Sequence, residues 1–219
     1  MKTMSNIVAA LFLGLTSAAS AQVPMVPAPQ LSANAVELFK QIELQRTPAV
    51  RALLLKGLSA DTTDVRGDHA LMVAAREGYL DGVQVLLSAG ARVNLRNKWG
   101  DSAIMVASLA GHETVVKTLR AKGADINQTG WTALHYAAIA GHASVLKYLL
   151  DQGANPLAGG ANGVTALMMA ARENKTEAIE VLLEYGADAK QKNEKGETAL
   201  DWAIREEHRS AIDVLKKAK

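Results

Sequence analysis

The feature that most constrains this chain is a glycine that returns at a fixed stride. It leads five related segments: Gly67-Asp-His-Ala-Leu71-Met-Val-Ala-Ala75, Gly100-Asp-Ser-Ala-Ile104-Met-Val-Ala-Ser108, Gly130-Trp-Thr-Ala-Leu134-His-Tyr-Ala-Ala138, Gly163-Val-Thr-Ala-Leu167-Met-Met-Ala-Ala171 and Gly196-Glu-Thr-Ala-Leu200-Asp-Trp-Ala-Ile204. Their spacings are 33, 30, 33 and 33 residues. A second series, Gly57, Gly90, Gly123, Gly153 and Gly186, runs at 33, 33, 30 and 33. Two series with one stride describe a repeating unit and place a three-residue deletion between Gly123 and Gly130. Units this short bury an apolar face only by stacking on their neighbours.

Each unit reads as turn, helix, turn, helix. The leading glycine permits a positive φ in the first turn, and Ser102, Thr132, Thr165 and Thr198 stand where a hydroxyl caps the first helix. Alanine pairs then let backbones approach closely. A Gly-His turn follows at Gly111-His112 and Gly141-His142, where the histidine is expected to cap local backbone. The second helix is apolar-periodic, as in Ala143-Ser-Val145-Leu-Lys-Tyr148-Leu-Leu150, and ends at Gly-Ala, with glycine in the left-handed position. Composition agrees: 49% of residues are hydrophobic but only 4% aromatic, which suits closely packed short helices.

These segments resemble the ankyrin repeat. The best match is Gly130-Trp-Thr-Ala-Leu-His-Tyr-Ala-Ala-Ile-Ala-Gly-His, followed by Leu149-Leu150-Asp-Gln-Gly-Ala154-Asn, and the resemblance covers about Ser32 to Lys219. It implies an all-α solenoid of about six helix-turn-helix units with finger turns. Fingers and first helices would form the concave face and second helices the convex face. The expected divisions are an N-terminal cap unit at 32–63, repeats at 64–96, 97–126, 127–159 and 160–192, and a C-terminal cap unit at 193–219. In the first unit Thr47 is the expected N-cap of the second helix, with Pro48 at its first position.

The sequence departs from the family pattern in places. Met72, Met105 and Met168 stand where the family has a histidine that bridges units, Asp201 does so in the last unit, and only His135 keeps it. Gly82 and Arg120 are expected to weaken their second helices. The shortened finger Asp125-Ile-Asn-Gln-Thr129 is expected to notch the concave face.

The N-terminus reads as an export signal at 1–21. Lys2 provides the positive start, Ile7 to Leu15 the apolar stretch, and Ala19-Ser20-Ala21 the small-x-small cleavage site. The apolar run is shorter than the ~20 residues a membrane span takes, so no stable membrane insertion is expected after cleavage. Pro24, Pro27 and Pro29 mark 22–31 as an extended linker. The mature chain is then expected in the periplasm or secreted, as a monomer. It has no cysteine, so disulfides, thiolate catalysis and cysteine–zinc sites are excluded.

Formal net charge is +2, and Lys2 is the only charged side chain among the first 30 residues. This near-neutral balance gives no electrostatic case for nucleic acid. His112 and His142 occupy equivalent turns, but a metal site needs further ligands, and only Glu113 lies close in sequence. There is no phosphate loop and no nucleophile elbow. No enzyme activity, cofactor or metal is expected.

The resemblance implies that contacts come from residues flanking the finger glycine and from the exposed side of the first helix. Carried over position by position, these are Trp99, Asp101, Leu109, Trp131, Tyr136, Ile139, Met169, Arg172, Trp202 and Arg205. Aromatics and arginine dominate interface hot spots, and all three tryptophans fall in this set. The expected function is a non-catalytic module that binds a partner protein outside the cytoplasm. The alternative is a dedicated inhibitor or immunity protein blocking a periplasmic toxin or hydrolase.

Overall fold

The computed structural model describes residues 31–218. The expected leader at 1–21, and all of the proline-rich linker except its last residue, lie outside the described residues. Among the described residues twelve α-helices pair into six hairpins. Their first, inner helices are α1 (Ala33–Glu43), α3 (Ala70–Arg76), α5 (Ala103–Ala110), α7 (Ala133–Ala140), α9 (Ala166–Arg172) and α11 (Ala199–Arg205). Their second, outer helices are α2 (Thr47–Leu55), α4 (Leu80–Ser88), α6 (Glu113–Ala121), α8 (Ala143–Asp151), α10 (Thr176–Glu184) and α12 (Arg209–Lys217). No strand occurs among the described residues, only isolated antiparallel bridges that close finger turns, such as Thr63 with His69 and Arg96 with Ser102.

Each inner helix packs on the next inner helix and each outer helix on the next outer one, which makes two layers. The inner layer is the closer packed, and the shorter layer of a stack is its concave side. Side-chain size explains the difference. The inner helices meet through fully buried Ala74, Ala75, Ala107, Ala137, Ala138, Ala170 and Ala171. Between the layers runs a ladder of larger residues: Leu38, Leu71, Ile104, Leu134 and Leu167 from the inner helices, and Leu86, Leu119, Leu149 and Leu182 from the outer ones. Leu200, the equivalent residue of the last described unit, is only partly buried.

The inner and outer helices are joined at one left-handed residue per unit: Gln45, Gly78, Gly111, Gly141, Asn174 and Glu207. A Cβ on Gly78 would lie 2.6 Å from the His112 ring, and one on Gly111 2.6 Å from the His142 ring. Glycine is therefore required there twice, for its φ and for the ring that rests on it. The histidines reach backwards to do this. Nε2 of His112 lies 3.0 Å from the Arg76 carbonyl and Nε2 of His142 3.1 Å from that of Leu109, so both cap the preceding inner helix rather than local backbone.

Two further expectations are corrected. Thr47 lies inside α2, with Arg46 at the cap position, and its hydroxyl meets the Tyr79 hydroxyl at 2.6 Å. Gly82 weakens α4 only in propensity. A Cβ there would fall 2.2 Å from the Tyr79 ring, so the missing side chain is the seat of a buried tyrosine that ties unit two to unit one.

Candidate interaction surface

The fingers connect each outer helix to the next inner helix, and most are built round one amide or carboxylate. In the second finger the Asn97 Oδ1 accepts the backbone N–H of Trp99 and of Asp101, both at 3.0 Å. Asp64 does the same for Arg66 and Asp68 at 2.8 and 2.9 Å, and Asn193 for Lys195 and Glu197 at 2.9 Å each. A second set of polar side chains joins neighbouring units. Asp61 accepts from the Arg92 N–H, Asn94 from that of Asp125 and Asn127 from that of Asn155, each at 2.9 Å.

Asn127 is where these sets collide. Counted from the glycine ahead of it, it is the equivalent of Asn94; counted back from the finger glycine, of Asn97. The three-residue deletion merges the two positions, and one side chain cannot do both jobs. Asn127 keeps the inter-unit role, also donating to the Gly153 carbonyl at 2.8 Å. The finger is closed instead by Gln128, whose buried amide donates to the Trp131 carbonyl at 2.8 Å.

Next to each finger glycine stands Asp68, Asp101, Trp131, Val164 or Glu197. Eight residues later, at the end of the inner helix, stands Arg76, Leu109, Ile139, Arg172 or Arg205. In the first and last of these units the two positions form an ion pair, Asp68 with Arg76 and Glu197 with Arg205. In the units between, one or both positions are apolar. The face is therefore apolar in its middle and ionic at its ends.

The carboxylates on this face are committed to structure. Burial raises the Asp68 carboxyl, but hydrogen bonds from Asn97 and Arg76 outweigh it and hold the group below its ordinary range. Asp101 accepts the Tyr136 hydroxyl from the next unit, and burial, then that carboxylate, push the phenol well up. Hydrogen bonds from Asn193, Trp202 and Arg205 hold Glu197 down. His135 bridges units as expected, with Nε2 3.0 Å from the Val164 carbonyl and Nδ1 2.9 Å from the Thr132 hydroxyl. In the last unit Asp201 takes over the capping half of that role, accepting from the Thr198 N–H at 2.8 Å.

The expected contact residues occupy different depths. Trp99 is 60% exposed, its ring lying under the Lys98 ammonium at 4.4 Å. Leu109, Ile139, Trp131 and Trp202 are half-buried against the core. Trp131 meets the His135 ring edge-on at 5.2 Å, and the Trp202 indole N–H donates to Glu197 at 2.8 Å. Arg172 pairs with Glu173, and Arg205 with Glu197. Tyr136 and Met169 are buried, at 9% and 3% exposure, and shape the surface from beneath. Asp101 and Tyr136 are brought together by their bond, and Trp202 and Arg205 by Glu197, whereas Trp99 stands apart on its finger. The exposed Val65 at the first fingertip was not anticipated; its only signal is its register with Lys98.

Among the described residues no group of three or more histidine and acidic side chains is arranged to hold a metal ion. No described helix is long and apolar enough to cross a membrane. The family model described as ankyrin repeats (3 copies) matches residues 38–97, 71–159 and 157–219. A search of curated proteins found no match to the chain.

Proposed function

The chain belongs to the ankyrin-repeat family, whose repeats form protein–protein interaction modules, and from that premise we propose that it binds a partner protein through the fingers and inner helices, outside the cytoplasm. The reading rests above all on Trp99. A tryptophan 60% exposed on a turn held by two hydrogen bonds presents apolar area that loses little conformational freedom on contact. Behind it, the half-buried Leu109, Ile139 and Trp131 offer apolar surface in the stretch of the face without an acid–arginine pair across each unit. Arg172, Trp202 and Arg205 form the more polar end of the same surface, where contacts set specificity more than affinity.

The test is capture with the purified chain from an extracytoplasmic extract. Trp99→Ala should leave the far-UV circular dichroism unchanged and weaken retention of the captured partner at least about tenfold. Combining it with Trp131→Ala should abolish retention. Full retention by the double variant would refute the surface assignment. One stoichiometric partner would mark a dedicated inhibitor, and several a general module. Export is supported by the leader-like composition of 1–21 and is tested by N-terminal sequencing of the expressed protein, where Gln22 is the expected first residue.

A further inference from the structure

The second finger carries a charge imbalance that its hydrogen bonds leave unrelieved. Between residues 92 and 101 stand Arg92, Arg96, Lys98 and a single acid, Asp101. Arg92 is paired with Asp61 of the first finger, and Asp101 is occupied by the Tyr136 hydroxyl. Arg96 and Lys98 are exposed and form no salt bridge among the described residues. Both lie just ahead of Trp99 in sequence, three residues and one residue before it. The first finger adds Val65, 80% exposed.

The two fingers are held to each other. Asn97 donates to the buried Asp68 carboxylate at 2.8 Å, and Nε2 of His69 lies 3.3 Å from the Arg96 carbonyl. The exposed apolar and cationic side chains thus sit on a braced double turn. The spacing of packed helices, about 8–10 Å, separates neighbouring fingers. A chain in the extended polyproline-II conformation, with three residues per turn and a rise of about 3.1 Å, covers that distance in three residues and presents the same face again.

Building on the binding reading above, we propose that this double fingertip docks an extended acidic segment of a partner protein. Two apolar side chains of that segment, three residues apart in a polyproline-II conformation and so on one face of it, pack on Trp99 and Val65, and flanking carboxylates meet Arg96 and Lys98. The chemistry follows from what the fingertip lacks. Arg96 and Lys98 have no counter-charge among the described residues, and Lys98 already lies over the indole, where an incoming carboxylate reaches it without drawing it off the ring.

The experiment uses the purified chain and three labelled nine-residue peptides. Each has leucines three apart, flanked by aspartates, serines or lysines, and binding is read by fluorescence anisotropy. The aspartate peptide should bind about tenfold more tightly than the serine peptide, and the lysine peptide least. Raising salt from about 50 mM to about 500 mM should erase the difference. Arg96→Glu with Lys98→Glu should reverse the order, and Trp99→Ala should weaken all three peptides. Equal binding of the three, or no binding of any, would overturn the proposal. So would adsorption to anionic lipid vesicles without preference among peptides. Self-association that rises with concentration and is lost in Trp99→Ala would instead assign the patch to a second copy. The two readings fail separately: if the captured protein is retained by Arg96→Glu with Lys98→Glu but lost by Trp99→Ala, the module stands and the acidic segment does not.

Discussion

The second and third fingers begin from the same plan and end differently. The second has two asparagines three residues apart, one for the turn and one for the neighbouring unit. The third has one residue where both positions coincide, and the inter-unit bond wins. The hairpins beneath hardly register the change. Ile104 and Leu134 occupy the same place, and each is 1% exposed. The deletion is absorbed in the loop, because a solenoid needs each hairpin to match its neighbours and asks of a finger only that it connect them. What the third finger loses is its bridge and its asparagine-centred turn. The exposed tryptophan stays on the second finger, while the third finger's tryptophan folds back onto His135.

That contrast breaks first in the core. Leu134→Ala and Ile104→Ala should each cost ~2–5 kcal/mol in chemical denaturation. A markedly smaller cost for Leu134→Ala would show that the short finger loosens its hairpin. The next effect is pH-dependent. Burial pushes the His135 imidazole down to about 4 from its ordinary 6.5, against the opposing hydrogen bonds to Val164 and Ala158. Between those values the unfolded chain holds a proton that the folded one does not. Stability from this site is therefore full above about pH 6.5 and falls as pH drops toward 4, by ~3 kcal/mol. His135→Met, which copies Met105 of the preceding unit, should flatten that slope.

The asparagines come next. Asn97→Ala leaves the buried Asp68 short of a donor and frees two finger amides, for about 2 kcal/mol and faster hydrogen exchange at Trp99 and Asp101. Asn127→Ala, exposed and with two bonds to lose, should cost about 1 kcal/mol and spare the second finger. Equal exchange patterns in the two variants would erase the distinction. The smallest effect lies at the end of the array. Glu207 sits at φ +56° with an exposed side chain, so Glu207→Gly should gain up to ~1 kcal/mol by melting.

The fold was legible because glycine spacing reports backbone conformation directly: the finger glycines all have positive φ. His135 was legible for a related reason, as its role depends on its place in the repeat. Contacts between units were not. His112 and His142 sit in turns, and nothing local shows that they reach back more than thirty residues. Asp68 stands in the finger and Arg76 at the far end of the inner helix, so their pairing depends on how the turn folds over the helix and not on a periodicity within one element. Tyr136 and Met169 fall on the exposed row by counting, but depth depends on the side chains that neighbouring units fold over them. Gly82 carries a propensity cost in any sequence reading, since its benefit belongs to Tyr79.

The backward reach of the histidines gives the array a direction in time. As the polypeptide leaves the ribosome, amino end first, the second and third hairpins emerge still lacking the imidazole that completes their turns, because that ring, His112 or His142, is encoded one repeat later. The second and third repeats are each finished by their successor.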